Sequence, residues 1–135
     1  MTSDPKGNTH RDRPLTILVV EDFADTRLLM RFWLERKGYR VVEAIDGENA
    51  MEVALRELPD LIIMDVEMPG VDGLTSIRRM RQSESLRDVP IITVSAYTAD
   101  EYRGAALEAG SNEYVSTPFE PEVLGKLIDN FLSAK

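Results

Sequence analysis

Five short apolar runs recur along the chain: Leu15–Val20, Tyr39–Ala44, Leu61–Met64, Ile91–Val94 and Tyr114–Val115. The first, third and fourth are almost continuously apolar and rich in β-branched residues. Strands covered on both faces read this way, so these three are expected at the centre of a parallel sheet. The second and fifth are shorter or more mixed and suit its edges.

Helical patterns fill the gaps. Leu29, Met30, Trp33 and Leu34 fall on one stripe, and Gly38 follows as a left-handed cap. A second helix over about 47–57 places Ala50, Met51, Ala54 and Leu55 on one face. A third starts near Leu74 and uses Leu74, Ile77 and Met80, with Arg78, Arg79 and Arg81 outward. A fourth, about 99–109, carries Tyr102, Ala105, Ala106 and Ala109 and ends at Gly110. The fifth, about 120–132, uses Val123, Leu124, Leu127, Ile128 and Phe131, with Pro121 in its first turn, where a missing N–H costs nothing. The alternation is (βα)₅. Right-handed crossovers then give a doubly wound α/β fold: a five-stranded parallel sheet in a three-layer sandwich, flavodoxin-like in type.

Residues 1–14 are polar, carry Pro5, Gly7 and Pro14, and read as a flexible tail ahead of one domain over 15–135. The tail has no apolar core of a secretory signal, and no run is long enough to span a membrane, which points to the cytoplasm. The chain has 135 residues, about one domain's worth. Its 24 acidic residues outweigh 16 Lys and Arg, for a net charge of −8. That balance argues against nucleic acid as a partner. There is no Cys, and the one His, His10, lies in the tail. Thiolate chemistry, His-based zinc sites and Ser-His-Asp triads are thereby excluded.

In open α/β sheets the chemistry lies beyond the carboxyl ends of the strands. The first strand ends in Glu21-Asp22 and the third in Asp65, followed by Val66-Glu67-Met68-Pro69-Gly70. The fourth ends in Ser95-Ala96, and the fifth is followed by Thr117-Pro118. The first and third strands are expected to be neighbours, which brings Glu21, Asp22 and Asp65 together. Three carboxylates in one shallow pocket repel one another, and a hard divalent cation such as Mg²⁺ is the natural remedy. Taken singly, each could be a helix N-cap or a solvated loop acid.

Together, Val19-Val20-Glu21-Asp22, the stretch from Met64 to Gly73 (Met-Asp-Val-Glu-Met-Pro-Gly-Val-Asp-Gly), Val94-Ser95-Ala96 and Thr117-Pro118-Phe119 resemble the receiver domain of two-component response regulators. The resemblance covers about residues 15–132. It implies a signalling switch rather than an enzyme, with Asp65 as phosphoacceptor for a histidine kinase or histidine phosphotransfer protein. It implies Mg²⁺ held by Glu21, Asp22, Asp65 and the backbone carbonyl of Glu67. Ser95 resembles the switch hydroxyl and Tyr114 the aromatic that moves with it. The Glu67 side chain occupies a position that influences phosphoryl lifetime in the family. The output surface is expected around Tyr102, Arg103, Tyr114 and Glu122, passing a signal by contact to a downstream protein. The chain is expected to be a free-standing monomer or weak dimer.

One position departs from the pattern. The family carries Lys-Pro after the fifth strand, and this chain has Thr117-Pro118. Thr117 brings one neutral hydrogen bond and no charge. A charge-assisted bond of the missing kind is worth about 1.5–3 kcal/mol. Either Asp65 is phosphorylated with weakened coupling to the switch, or an arginine substitutes, with Arg27 and Arg103 the candidates although each is expected to face solvent. A pseudo-receiver that works without phosphorylation is the main alternative. A nucleotide-binding enzyme of the same fold is disfavoured, because the turn after the first strand reads Glu21-Asp22-Phe23-Ala24-Asp25 instead of a glycine-rich phosphate loop. Leu28 and Phe32, beside the apolar stripe of the first helix, are either a wide core face or a docking surface.

Overall fold

The computed structural model describes residues 14–65, 73–96 and 100–133. The expected tail up to residue 13, the loop carrying Glu67, and residue 99 at the expected start of the fourth helix lie outside these. Ten elements alternate along the chain: β1 (Thr16–Val20), α1 (Ala24–Arg36), β2 (Arg40–Ala44), α2 (Gly47–Glu57), β3 (Leu61–Asp65), α3 (Gly73–Gln82), β4 (Ile91–Ser95), α4 (Asp100–Ala109), β5 (Glu113–Ser116) and α5 (Pro121–Leu132). The five strands form one parallel sheet in the order β2-β1-β3-β4-β5. The apolar runs expected at the centre are the three central strands, and the two mixed runs are the edges.

Side-chain alternation along the strands sorts the core into two layers. Leu18 and Val20 of β1 and Ile62 and Met64 of β3 face one side, where they meet Ala50, Val53 and Ala54 of α2 and Ile77 and Met80 of α3. Ile17 and Val19, with Leu61 and Ile63, face the other, against Leu34 of α1 and Leu124, Ile128 and Leu132 of α5. Asp65 follows Met64, so the same alternation turns it toward the α1 side. Strand order fixes the rest. The chain steps outward from β1 to β2, then back past β1 to β3, and this reversal opens a crevice between the carboxyl ends of β1 and β3.

The helix ends follow local chemistry. Asp46 caps α2 by accepting from the Asn49 amide at 2.8 Å. Gly38 and Gly110 take positive φ, 98° and 125°, where the chain leaves α1 and α4. Arg81 knits the loops at the amino end of β4. Its guanidinium donates to the carbonyls of Gly110 at 2.9 Å and Val89 at 2.7 Å, and to Asn112 Oδ1 at 2.8 Å.

Three positions assigned to core stripes are exposed instead: Leu29, Leu55 and Val123. In α1 the reason is angular. At about 100° per residue, Trp33 and Leu34 lie within about 60° of Met30 on the helical wheel, and Leu29 lies about 100° away. The sheet covers the narrower arc. Leu28 and Phe32 sit about 160° from Met30 on opposite sides, on the face turned away from the sheet. They are 64% and 60% exposed, which rules out the wide core face. Arg36 lies over the Phe32 ring, 5.6 Å from its centroid.

Phe32→Lys is therefore expected to shift stability by no more than about 0.5 kcal/mol. Leu34→Ala, in the buried layer, is expected to cost about 2–5 kcal/mol. Urea unfolding of the two variants checks the contrast, and a large loss in Phe32→Lys would return that side chain to the core.

Candidate functional site

The register pairs Val20 with both Ala44 and Met64, so β1 and β3 end side by side. The chain leaves β1 with the Glu21 amide still bonded to Ala44 O at 3.0 Å. This holds Glu21 at the rim, opposite the end of β3. Carboxylate oxygens of Glu21, Asp22 and Asp65 all lie within 4.8 Å of one another. Glu21 and Asp65 are half-buried and Asp22 is exposed. None of the three acts as the cap of α1: the N-cap is Phe23, which makes no side-chain cap bond. The cluster is an acidic pocket, and its donors are the hard oxygens that suit Mg²⁺.

Its electrostatics are those of crowded like charges. The Glu21 carboxyl is pushed up to about 8. Burial is the largest cause, and hydrogen bonds with Asp65 and Asp22 and repulsion from Asp65 add to it, against a lowering bond from the Phe23 amide. That amide donates to Glu21 Oε2 at 3.1 Å. A carboxyl held protonated near neutral pH beside two others is the signature of charge awaiting a counter-ion.

The other expected site residues lie at different places in the fold. Ser95 closes β4 and is buried, and its carbonyl accepts from the Thr117 amide at 2.7 Å. The Thr117–Pro118 peptide is cis. Thr117 shares a cavity wall with Asp65 and Glu21. Tyr114 lies on β5 and is 4% exposed, its ring 6.4 Å from that of Tyr102. Glu122 is exposed on α5. Glu67 lies outside the described residues.

Of the two arginines expected to face solvent, Arg103 is exposed and Arg27 is partly buried. Arg27 donates to the Glu21 carbonyl at 2.9 Å and lies 3.8 Å from Glu43 Oε1, because α1 starts next to the rim and turns that side chain back over it. Arg103 donates to the Tyr114 carbonyl at 3.2 Å and stacks over its ring, 5.9 Å from the centroid. Sequence reasoning also missed Met30 and Phe119 as neighbours of the acids; both line the same cavity. An apolar Phe119 directly after Thr117-Pro118, in a loop, was the available signal.

The fold and rim define an α/β domain: a doubly wound sheet with an acidic pocket at its switch point. Residues 17–129 match the model of the response regulator receiver domain. The chain is 40% identical over 120 residues to an uncharacterized 14.6 kDa protein from the sodA1 3′ region of Leptolyngbya boryana, covering 89% of this chain and 92% of that one. It is 37% identical over 108 residues to the phosphate regulon transcriptional regulatory protein PhoB of Escherichia coli, covering 80% of this chain but only 47% of PhoB. Among solved structures, it resembles the receiver domain of the sensor histidine kinase PA1611 from Pseudomonas aeruginosa, which holds a magnesium ion in its active-site cleft. The TM-score is 0.82 and the identity 33%, over 89% of this chain and 98% of that one. The chain belongs to the response regulator receiver domain family.

The raised Glu21 carboxyl sets a pH dependence. In the unfolded chain this group loses its proton near 4.5, and in the folded protein near 8. Its contribution is therefore intact below the first value and lost as pH rises through the second. Without divalent ions, Glu21→Gln is expected to be the more stable protein at pH 8 by ~1–2 kcal/mol, a figure reduced for solvent screening at a half-buried site. Near pH 4.5 the two should be equal. Equal stability at both pH values, read by urea unfolding in EDTA, would contradict the shift.

Proposed function

We propose that this domain is a phosphorylation-controlled switch that accepts a phosphoryl group on Asp65. The donor is the phosphohistidine of a histidine kinase or histidine phosphotransfer protein. The observation that carries this reading is the meeting of Glu21, Asp22 and Asp65 oxygens within 4.8 Å at the sheet's switch point. An Oδ of Asp65 attacks phosphorus in line. The P–N bond breaks, its electron pair stays on the imidazole nitrogen, and an acyl phosphate forms on Asp65.

Glu21, Asp22 and Asp65 fit Mg²⁺, with the Glu67 carbonyl as the further protein ligand. When bound, the ion supplies charge neutralisation for the phosphoryl oxygens. The chain's own residues do the rest. The Phe23 amide and the β1–β2 bond orient Glu21. Thr117 offers a neutral donor beside Asp65. Ser95 is the hydroxyl that turns toward the phosphoryl group, and Tyr114 the aromatic that responds. Arg103, bonded to the Tyr114 carbonyl and stacked on its ring, links that response to the surface of α4.

Leu28, Leu29 and Phe32 are exposed on α1, and Phe23 is exposed at its N-cap. The phosphodonor docks on these side chains. The signal leaves by protein contact through Tyr102, Arg103 and Glu122, with neither nucleic acid nor membrane as partner; Tyr114, expected on that surface, is buried and acts from beneath it. Among the described residues no helix is long and apolar enough to cross a membrane. The cytoplasm is the compartment this reading assigns. A second reading, a pseudo-receiver working without phosphorylation, draws on Thr117 alone. Three clustered acids weigh against it, because a chain without metal and phosphate chemistry gains nothing from their repulsion.

Incubation with Mg²⁺ and acetyl phosphate should add the mass of one phosphoryl group to the intact protein, and Asp65→Asn should abolish the gain. Labelling that persists in Asp65→Asn, or a folded protein that never labels, would remove the acceptor role.

A further inference from the structure

The turn from β1 into α1 carries two consecutive acids, Glu21 and Asp22, with Phe23 between them and the helix. One peptide joins the two acids. Its plane fixes ψ of Glu21 and φ of Asp22, and so decides whether both carboxylates reach one point. Strand pairing does not hold that plane. It holds the preceding peptide, whose Glu21 amide donates to Ala44 O at 3.0 Å. In a parallel ladder the carbonyl of the same residue takes its bond two residues further along the partner strand, here at Asp46. But β2 ends at Ala44, and Asp46 is the N-cap of α2. The Glu21 carbonyl therefore falls just past the last rung.

Arg27 supplies the donor instead. Its Nη1 lies 2.9 Å from the Glu21 carbonyl oxygen. Further contacts aim the guanidinium. The Arg27 amide donates to the Phe23 carbonyl at 3.0 Å, so the same residue holds both ends of the turn. Arg27 Nε lies 3.8 Å from Glu43 Oε1 on β2, and Arg31, one turn along α1, approaches Glu43 Oε2 at 3.5 Å. Arg31 also pairs with Glu35 at 3.1 Å. Two arginines and two glutamates carry no net charge together. What this network brings to the rim is a donor of fixed direction rather than added positive charge.

We propose that Arg27 is a positioning residue for the cation site: by holding the Glu21 carbonyl it fixes the peptide between Glu21 and Asp22, and with it the convergence of their carboxylates on one ion. The inference rests on the reading of these two acids as Mg²⁺ ligands. Arg27 acts through the main chain, and its planar fork is what the task needs. Nη1 serves the carbonyl while Nε faces Glu43. A lysine keeps the charge but has one compact head and no fork.

The test compares the whole chain with Arg27→Lys and with Arg31→Lys, a matched control that also loses a guanidinium facing Glu43. Magnesium titration followed by amide ¹H–¹⁵N shifts gives the affinity. Arg27→Lys should weaken it about tenfold, the scale of losing an outer partner of a metal ligand. Arg31→Lys should leave it unchanged. In metal-free protein, the ¹H–¹⁵N heteronuclear NOE of Asp22 should fall in Arg27→Lys, while that of Val19 on β1 stays as it was. A general loss of stability would not single out Asp22 in this way. Unchanged affinity in Arg27→Lys, an equal loss in Arg31→Lys, or an Asp22 amide as rigid as before would overturn the proposal. No magnesium binding in the unaltered chain would remove the metal reading and this proposal with it, whereas binding that is indifferent to Arg27 removes the proposal alone.

Discussion

Repulsion among three carboxylates at the end of two adjacent strands is the constraint around which this domain is organised. Glu21, Asp22 and Asp65 bring oxygens within 4.8 Å of one another in a half-buried pocket. Left uncompensated, such a cluster answers by holding a proton, and Glu21 does so well above its ordinary range. The same property makes the pocket receptive. Positive charge placed there restores the ionised state and gains from low local dielectric. Cation binding and acceptance of a charged group are two uses of one electrostatic deficit.

The fold imposes that deficit and supports it. Parallel pairing places the ends of β1 and β3 side by side, and the reversal in strand order keeps any crossover from covering them. The buried strands below are rigid, since both faces of β1 and β3 are sealed by close-packed aliphatic layers. The acids therefore cannot drift apart to relieve their repulsion. Around this fixed point the chain spends its cations on scaffolding. Arg27 ties the start of α1 to the Glu21 carbonyl and Glu43, Arg81 closes the loops at the far end of the sheet, and Arg103 covers Tyr114.

The central strands, the edges and the acidic rim were legible because they depend on features that each residue carries alone. Continuous β-branched runs identify central strands, and an acid directly after such a run stands at a rim. Leu29, Leu55 and Val123 misled because helix periodicity defines an arc, while the width of that arc that a sheet covers depends on how the helix is seated. Phe32 and Leu28 were ambiguous for the same reason, and the wheel resolves them once Met30 and Leu34 are fixed inward. Arg27 and Arg103 were not legible, because a long side chain selects among several acceptors that only the folded chain brings near. The cavity was the least legible of all. Thr117 announces a short side chain, but the space beside it exists only through the packing of Met30, Val94 and Phe119.

The most direct measurement of the central claim is proton release on magnesium binding. Calorimetric titration at pH 7, in buffers of different ionisation enthalpy, counts the protons displaced by the ion. With Glu21 titrating at about 8, the account predicts release of about 0.9 proton per bound ion, and release near zero in Glu21→Gln. Binding without proton release in the unaltered chain, or no binding at millimolar magnesium, would contradict it.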